Sequence, residues 1–151
     1  MRVVLDTNIL IRVISSPAGP ASALFYRVRA AHLLVFSSET LEEFERVLTY
    51  PHTRKLHRYD DESLDRFISI LSQASLITTL QSPVPRIVPA DPDDDLLVAT
   101  AIVGQADVLC TRNRHLFHPD VLSYCGKRGI AVMDDLELLK LMRSAEQSAG
   151  T

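Results

Sequence analysis

The stretch RVVLDTN, residues 2–8, decides the fold class. Four residues of an apolar, β-branched-rich run stop abruptly at Asp6. An uninterrupted apolar run of this length reads as a strand buried on both faces, as in the middle of a parallel sheet. The next residues, NILIRVI, have helical character until Ser15, Ser16, Pro17, Gly19 and Pro20 break it. The chain therefore opens strand, acid, helix. In an open parallel sheet ligands bind beyond the carboxyl ends of the strands, where the strand order reverses. A charge placed directly after the first strand is thus a candidate functional group.

Outward from this segment the alternation repeats. Residues 21–31 read as a helix, Leu33 to Phe36 as a second strand, and Ser37 or Ser38 as the cap of a third helix. In that helix Leu41, Phe44, Val47 and Leu48 share one face until Pro51 ends it, while Glu39, Glu42 and Glu45 read as its solvated face. Asp60 or Asp61 starts a helix with Leu64, Phe67, Ile68 and Leu71 at helical spacing. Leu76 to Leu80 reads as a strand, and a proline-rich loop leads to DPDDD (residues 91–95) and an apolar helix ended by Gly104. Val108–Thr111 and Ile130–Met133 complete the strands, and Leu136–Met142 reads as a short amphipathic helix. Strands alternating with helices predict a three-layer α/β/α sandwich with a mostly parallel central sheet of about five strands. We expect a single domain over residues 1–142 and a flexible C-terminal tail over 143–151.

Composition agrees with one folded domain: 151 residues, 46% hydrophobic and 23% charged. The net charge of −3, from 16 basic and 19 acidic side chains, excludes nucleic-acid binding by bulk cationic charge but leaves room for a local basic groove. Two cysteines, Cys110 and Cys125, are too few for a disulfide scaffold and fit a reducing cytoplasm. No run approaches a membrane span, and Asp6 and Arg12 interrupt the apolar amino terminus, so a membrane role is not expected.

Three segments deliver polar side chains to one predicted sheet edge: Asp6, the aspartates of 91–95, and Arg112–Asn113. Helix capping accounts for one or two of the four aspartates in DPDDD; the remainder repel one another unless a cation relieves them. An aspartyl-nucleophile phosphatase would need a second aspartate where Asn8 stands, and a receiver domain would need paired acids at Asp6. The five glycines form no phosphate cradle. His115 and His118, near Cys110, lack the second ligand pair of a zinc site and read as loop histidines. Neither cysteine has a catalytic partner in sequence.

Four motifs in order then carry a resemblance. Asp6-Thr7-Asn8, Leu41-Glu42-Glu43-Phe44, Asp91-Pro92-Asp93-Asp94-Asp95 with Ala99-Thr100-Ala101, and Leu109-Cys110-Thr111-Arg112-Asn113 together resemble the PIN-domain nucleases over residues 1–142, and most of all the subgroup of bacterial toxin–antitoxin toxins. The resemblance implies a metal-dependent endoribonuclease. Asp6, Glu43 and Asp94 match the metal-binding catalytic acids, Asp94 standing seven residues ahead of Ala101. Asp91 matches a supporting acid; Asn8 would orient Asp6, and Thr111 would supply a further hydroxyl. Asn113 stands where the family usually has a fourth aspartate; it would offer one neutral oxygen and weaken a second metal. Three carboxylates suit Mg²⁺ or Mn²⁺, hard cations that take oxygen ligands and keep water, so one tight site at most is expected. Arg112 and Arg114 would contact RNA, and basic groups at 52–58 and 127–128 are further candidates. A cognate antitoxin, a homodimer and a cytoplasmic location follow from the resemblance alone. The alternative it leaves open is a degenerate, catalytically weak PIN domain that binds RNA or protein. A DNA flap nuclease is disfavoured because the chain lacks room for the required inserts.

Overall fold

A computed structural model describes residues 1–150. Five parallel strands form one sheet: β1 (Arg2–Leu5), β2 (Leu33–Ser37), β3 (Ser75–Thr78), β4 (Val108–Cys110) and β5 (Ala131–Met133), in the order β3-β2-β1-β4-β5. β1 is central. The chain winds outward from it through β2 and β3, then returns to its other side with β4 and β5. The strand order therefore reverses between β1 and β4, where Val3 pairs with Val108 and Leu5 with Cys110. Asp6 extends this junction through a backbone hydrogen bond, its N–H donating to the Cys110 carbonyl at 3.0 Å.

The helices are α1 (Thr7–Ser15), α2 (Pro20–Ala31), α3 (Ser38–Leu48), α4 (Pro51–Arg54), α5 (Asp61–Ala74), α6 (Asp94–Val103), α7 (Pro119–Gly126) and α8 (Asp135–Ala149), with a 3₁₀ turn at Arg114–Phe117. Strand alternation separates two cores. Val3 and Leu5 face a large cluster with α1, α2, α3, α5 and α8, whereas Val4, Val35 and Leu109 face a smaller one with α6 and α7. This gives the three-layer α/β/α arrangement predicted from the sequence. Cys110 lies in the first core and Cys125 in the second, both buried and free.

Local chemistry sets the ends of the site-bearing elements. Ser37 caps α3: its hydroxyl accepts from Thr40 N–H, and the Thr40 hydroxyl accepts from Ser37 N–H. Gly104 ends α6, and a Cβ there would collide with Val35 Cγ1, so only glycine lets α6 lie this close to β2.

Several boundaries differ from the sequence reading. α6 begins at Asp94, with Asp91 and Pro92 outside it; the Asp91 carboxylate accepts from Asp93 N–H at 2.9 Å and shapes the turn before the helix. α4, the 3₁₀ turn and α7 have no counterpart in that reading. α7 is the crossover that a parallel β4–β5 pair requires. α8 continues past Met142 to Ala149, through residues expected to form a tail, because nothing breaks the helix before Gly150 and Arg27 pairs with Glu146 at 3.3 Å. Thr151, the last of that segment, lies outside the described residues. Among the described residues no single helix is long and apolar enough to cross a membrane.

Candidate active site

A cavity of about 580 Å³ opens at the carboxyl edge of the sheet and is lined at one end by Asp6, Asn8, Glu43, Asp94 and Asn113. Asp6 directly follows β1, Asn8 lies in the first turn of α1, Glu43 lies on α3, Asp94 starts α6, and Asn113 follows β4. Glu43 reaches the cavity because α3 buries Leu41, Phe44 and Leu48. Its position between the first two of these turns it to the rim of the stripe. Glu42 and Glu45 are exposed as expected, whereas Glu39, in the first turn against the sheet edge, is half-buried.

Asp6 is held from beneath. The fully buried Thr111 hydroxyl donates to Asp6 Oδ2 at 2.6 Å and accepts from Asn113 N–H at 3.0 Å. The backbone N–H groups of Thr7 and Asn8 act on the same carboxylate. Asn8 thus reaches Asp6 through its main chain, and its own Oδ1 is buried without a partner.

The carboxyls of all three acids are shifted upward from their ordinary values. Burial is the largest cause for Asp6, opposed by the Thr111 hydrogen bond. For Glu43 burial is again first, followed by the charge of Asp6. For Asp94 burial leads, Asn113 opposes it, and the charge of Asp91 adds to it. The sequence predicts such shifts from mutual repulsion; in the folded chain loss of water is the largest cause for each acid, and repulsion adds less.

Asn113 lines the same cavity. Its Oδ1 accepts from His115 N–H at 3.1 Å and caps the 3₁₀ turn, which uses one of the oxygen's two lone pairs. The amide N–H₂ faces Asp94, where it favours the charged carboxylate. Asn113 therefore presents a donor to the site as well as its oxygen.

His115, which reads as a loop histidine in the sequence, is exposed on that turn, with Nδ1 3.6 Å from Asp94 Oδ2. Among the described residues, Asp91, Asp94 and His115 bring one ligand atom each within 4.8 Å of one another. Asp6 and Glu43 line the same cavity as Asp94 but do not join that tight cluster. The signal for His115 is its position two residues after Asn113, at the same sheet edge. His118, by contrast, caps α7, its Nδ1 accepting from Asp120 N–H.

The donor set fits a hard divalent cation. Asp94 Oδ2 is buried without a hydrogen bond, as is Asn8 Oδ1, and no lysine or arginine pairs with Asp6, Glu43 or Asp94 among the described residues. Buried carboxylates in such surroundings stay ionised only if something cationic joins them.

The basic residues divide differently from expectation. Arg112 is committed to structure: Nε and one terminal nitrogen donate to the two oxygens of Asp135 at 2.6 and 3.0 Å, and Asp135 is fully buried. A bidentate pair with a desolvated carboxylate leaves little for a phosphate. Arg114, by contrast, is exposed and forms no ion pair among the described residues, so it stays available to a phosphate. Lys127 and Arg128 follow α7 and precede β5, which puts them at the amino edge of the sheet, and Arg128 stacks on Tyr124 at 3.5 Å. Sequence reasoning misses Arg12 and Leu56, which line the far end of the cavity beside His52.

The PIN domain family profile matches residues 2–115. Among solved structures, VapBC2 from Rickettsia felis bound to a DNA fragment from their promoter is similar in fold, with a TM-score of 0.58 at 17% identity, over 89% of this chain and 98% of that one. No curated protein matches in sequence.

Proposed function

Because the chain belongs to the PIN-domain nuclease family, we propose that it is a divalent-metal-dependent endoribonuclease and the toxin half of a toxin–antitoxin pair. The observation that carries this reading is the cavity that gathers Asp6, Glu43 and Asp94 from β1, α3 and α6, with their carboxyls raised and no lysine or arginine among the described residues paired with them. Asp6, Glu43 and Asp94 would hold Mg²⁺ or Mn²⁺, with Asp91 and His115 as neighbours of Asp94. When bound, the cation supplies an activated water and offsets charge developing on the phosphodiester.

The protein's own groups do the positioning. Thr111 fixes the orientation of Asp6 Oδ2 by a short hydrogen bond, as partners behind a metal ligand commonly do. Asn113 favours the charged form of Asp94. The half-buried setting restricts water around the acids, which strengthens their hold on charge. RNA as substrate, an antitoxin partner, a homodimer and a cytoplasmic location are carried from the family resemblance. The fold neighbour, a VapBC2 complex, supports the antitoxin in particular.

A second reading is favoured by one residue. Asn113 stands where the family usually has an acid, and its neutral oxygen already accepts from His115 N–H, which suits a weakly catalytic PIN domain that binds without cutting. Mn²⁺ titration by calorimetry, run beside cleavage of a labelled single-stranded RNA, separates the two. Uptake with cleavage that Asp6→Asn abolishes supports the nuclease; uptake without cleavage supports the binding module. Cleavage surviving in both Asp6→Asn and Asp94→Asn overturns the site.

A further inference from the structure

The cavity that holds the acids is two-ended. Beyond Asp6, Glu43 and Asp94 its wall changes to Arg12 and Ile11 from α1 and to His52 and Leu56 from the α4 segment. Ser15 and Leu56 also line an adjoining cavity of about 510 Å³, whose remaining wall includes Lys55, His57, Arg58 and Tyr59. The two cavities share a border, so the acidic end leads into a basic and aromatic one.

Three properties of the second end distinguish it from ordinary solvated charge. First, its cations are free. Arg12, Lys55 and Arg58 form no ion pair among the described residues, while Arg54 in the same segment is paired with Asp61 and Arg112 with Asp135. Second, aromatic rings accompany them: Tyr59, half-buried against Phe67, lines the second cavity and meets His57 at 6.1 Å, and His52 of the first cavity lies against Tyr50, just outside it, at 5.7 Å. Third, Leu56 is an exposed leucine at 55%, placed where the two cavities meet. Cations that neutralise a polyanionic backbone, interleaved with flat rings and an apolar side chain that bases can cover, are what single-stranded nucleic acid requires.

We propose that the RNA strand leaves the carboxylates across Arg12 and runs into the trough of Lys55, Arg58 and Tyr59, so that this segment, and not Arg112, carries the substrate. The inference rests on the nuclease reading and deepens it. Electrostatics makes the placement sensible. A phosphodiester approaching three acids is repelled, and free cations at the other end of the same cavity offset that repulsion without occupying the acids.

The test uses the full chain and a fluorescein-labelled, mixed-sequence single-stranded RNA of about twelve nucleotides, long enough to cover one single-strand binding groove. Binding is measured in EDTA at several salt concentrations; cleavage is measured with Mn²⁺. The double variant Lys55→Ala/Arg58→Ala should weaken binding at least about fivefold and flatten the salt dependence by roughly 0.7 in log–log slope for each phosphate no longer neutralised. In cleavage its KM should rise with kcat near the parent value. The single variants, both at exposed positions, should each show part of the effect and guard against misfolding of the double. Arg143→Ala, at an exposed position on α8 that lines neither cavity, should leave affinity unchanged. If the parent chain cleaves RNA but the double variant binds it with parental affinity and slope, this inference alone is overturned. A loss confined to Arg114→Ala overturns it as well. Were the trough variants to lose only affinity for a polyglutamate peptide, the trough would belong to an acidic protein segment and the inference would fall. A parent chain that neither binds nor cuts RNA removes the nuclease reading itself.

Discussion

Asp94 and Asp95 are neighbours in sequence and opposites in surroundings. Asp95 turns inward, 3% exposed, and accepts from Ile87 N–H at 2.9 Å, Val88 N–H at 2.6 Å and the Arg86 guanidinium. Asp94 faces the cavity with Oδ2 buried and without a hydrogen bond. The same contrast separates Asp135, gripped by Arg112, from Asp6, which has a hydroxyl and backbone donors but no lysine or arginine beside it among the described residues. Burial alone therefore does not mark a functional acid. A carboxylate whose donors are complete is an anchor, here for the 86–88 loop and for the start of α8. One that is desolvated without a counter-charge holds a demand that a cation can meet.

The contrast can be broken at its strongest point first. Asp6→Asn or Asp94→Asn should reduce RNA cleavage by about a thousand-fold or more, the scale of losing a group that acts in the transition state, with the circular-dichroism spectrum unchanged. Asp95→Ala should do the reverse. It leaves the buried Val88 N–H without an acceptor and should lower stability by about 2–3 kcal/mol in urea unfolding, with the exposure of Arg86 limiting the loss of the ion pair. A cleavage defect without a stability defect in Asp95→Ala would erase the distinction between the two aspartates.

The pH dependence sharpens it. A carboxyl whose folded pKa is raised binds its proton more tightly in the folded chain. Its stabilising contribution is complete at low pH and is lost as pH rises from the ordinary carboxylate range through the raised value. The cation-free protein should accordingly melt at lower temperature at about pH 7 than at about pH 5. Mn²⁺ should raise the melting temperature more at the higher pH, and Asp6→Asn should shrink both differences. An equal Mn²⁺ effect at the two pH values would contradict the assignment. The smallest effect is expected from Asn113→Asp. Aspartate keeps the oxygen that caps the 3₁₀ turn but replaces the donor facing Asp94 with charge, which should tighten Mn²⁺ about tenfold by calorimetry.

Much of this is legible before folding is considered. The short, largely apolar runs at 2–5, 33–36 and 108–111 point to parallel strands, since a strand buried on both faces needs no polar alternation. The acids at 6 and 94 stand out because they adjoin apolar sequence at element ends. Glu43 is harder to see: four glutamates crowd one helix, and only the family motif separates it from Glu42. α7 escapes notice because PDVLSYCG lacks a long periodic stripe, although two parallel strands cannot be joined without such a crossover. Arg112 misleads for a different reason. Its partner Asp135 is 23 residues away in sequence, and the pair forms only when the start of α8 docks beside β4.

The order of apolar and polar residues determined by itself that this chain makes an alternating α/β sandwich with acids at the strand ends, because periodicity and capping act over a few residues. Tertiary structure alone decided which charges are satisfied. Whether Asp94 or Asp95 is the anchor, whether Arg112 or Lys55 is free, and how Asp6 is braced by Thr111 all depend on donors contributed from other segments. Such partners enter only when the elements pack, and the energy of a buried charge is set by them.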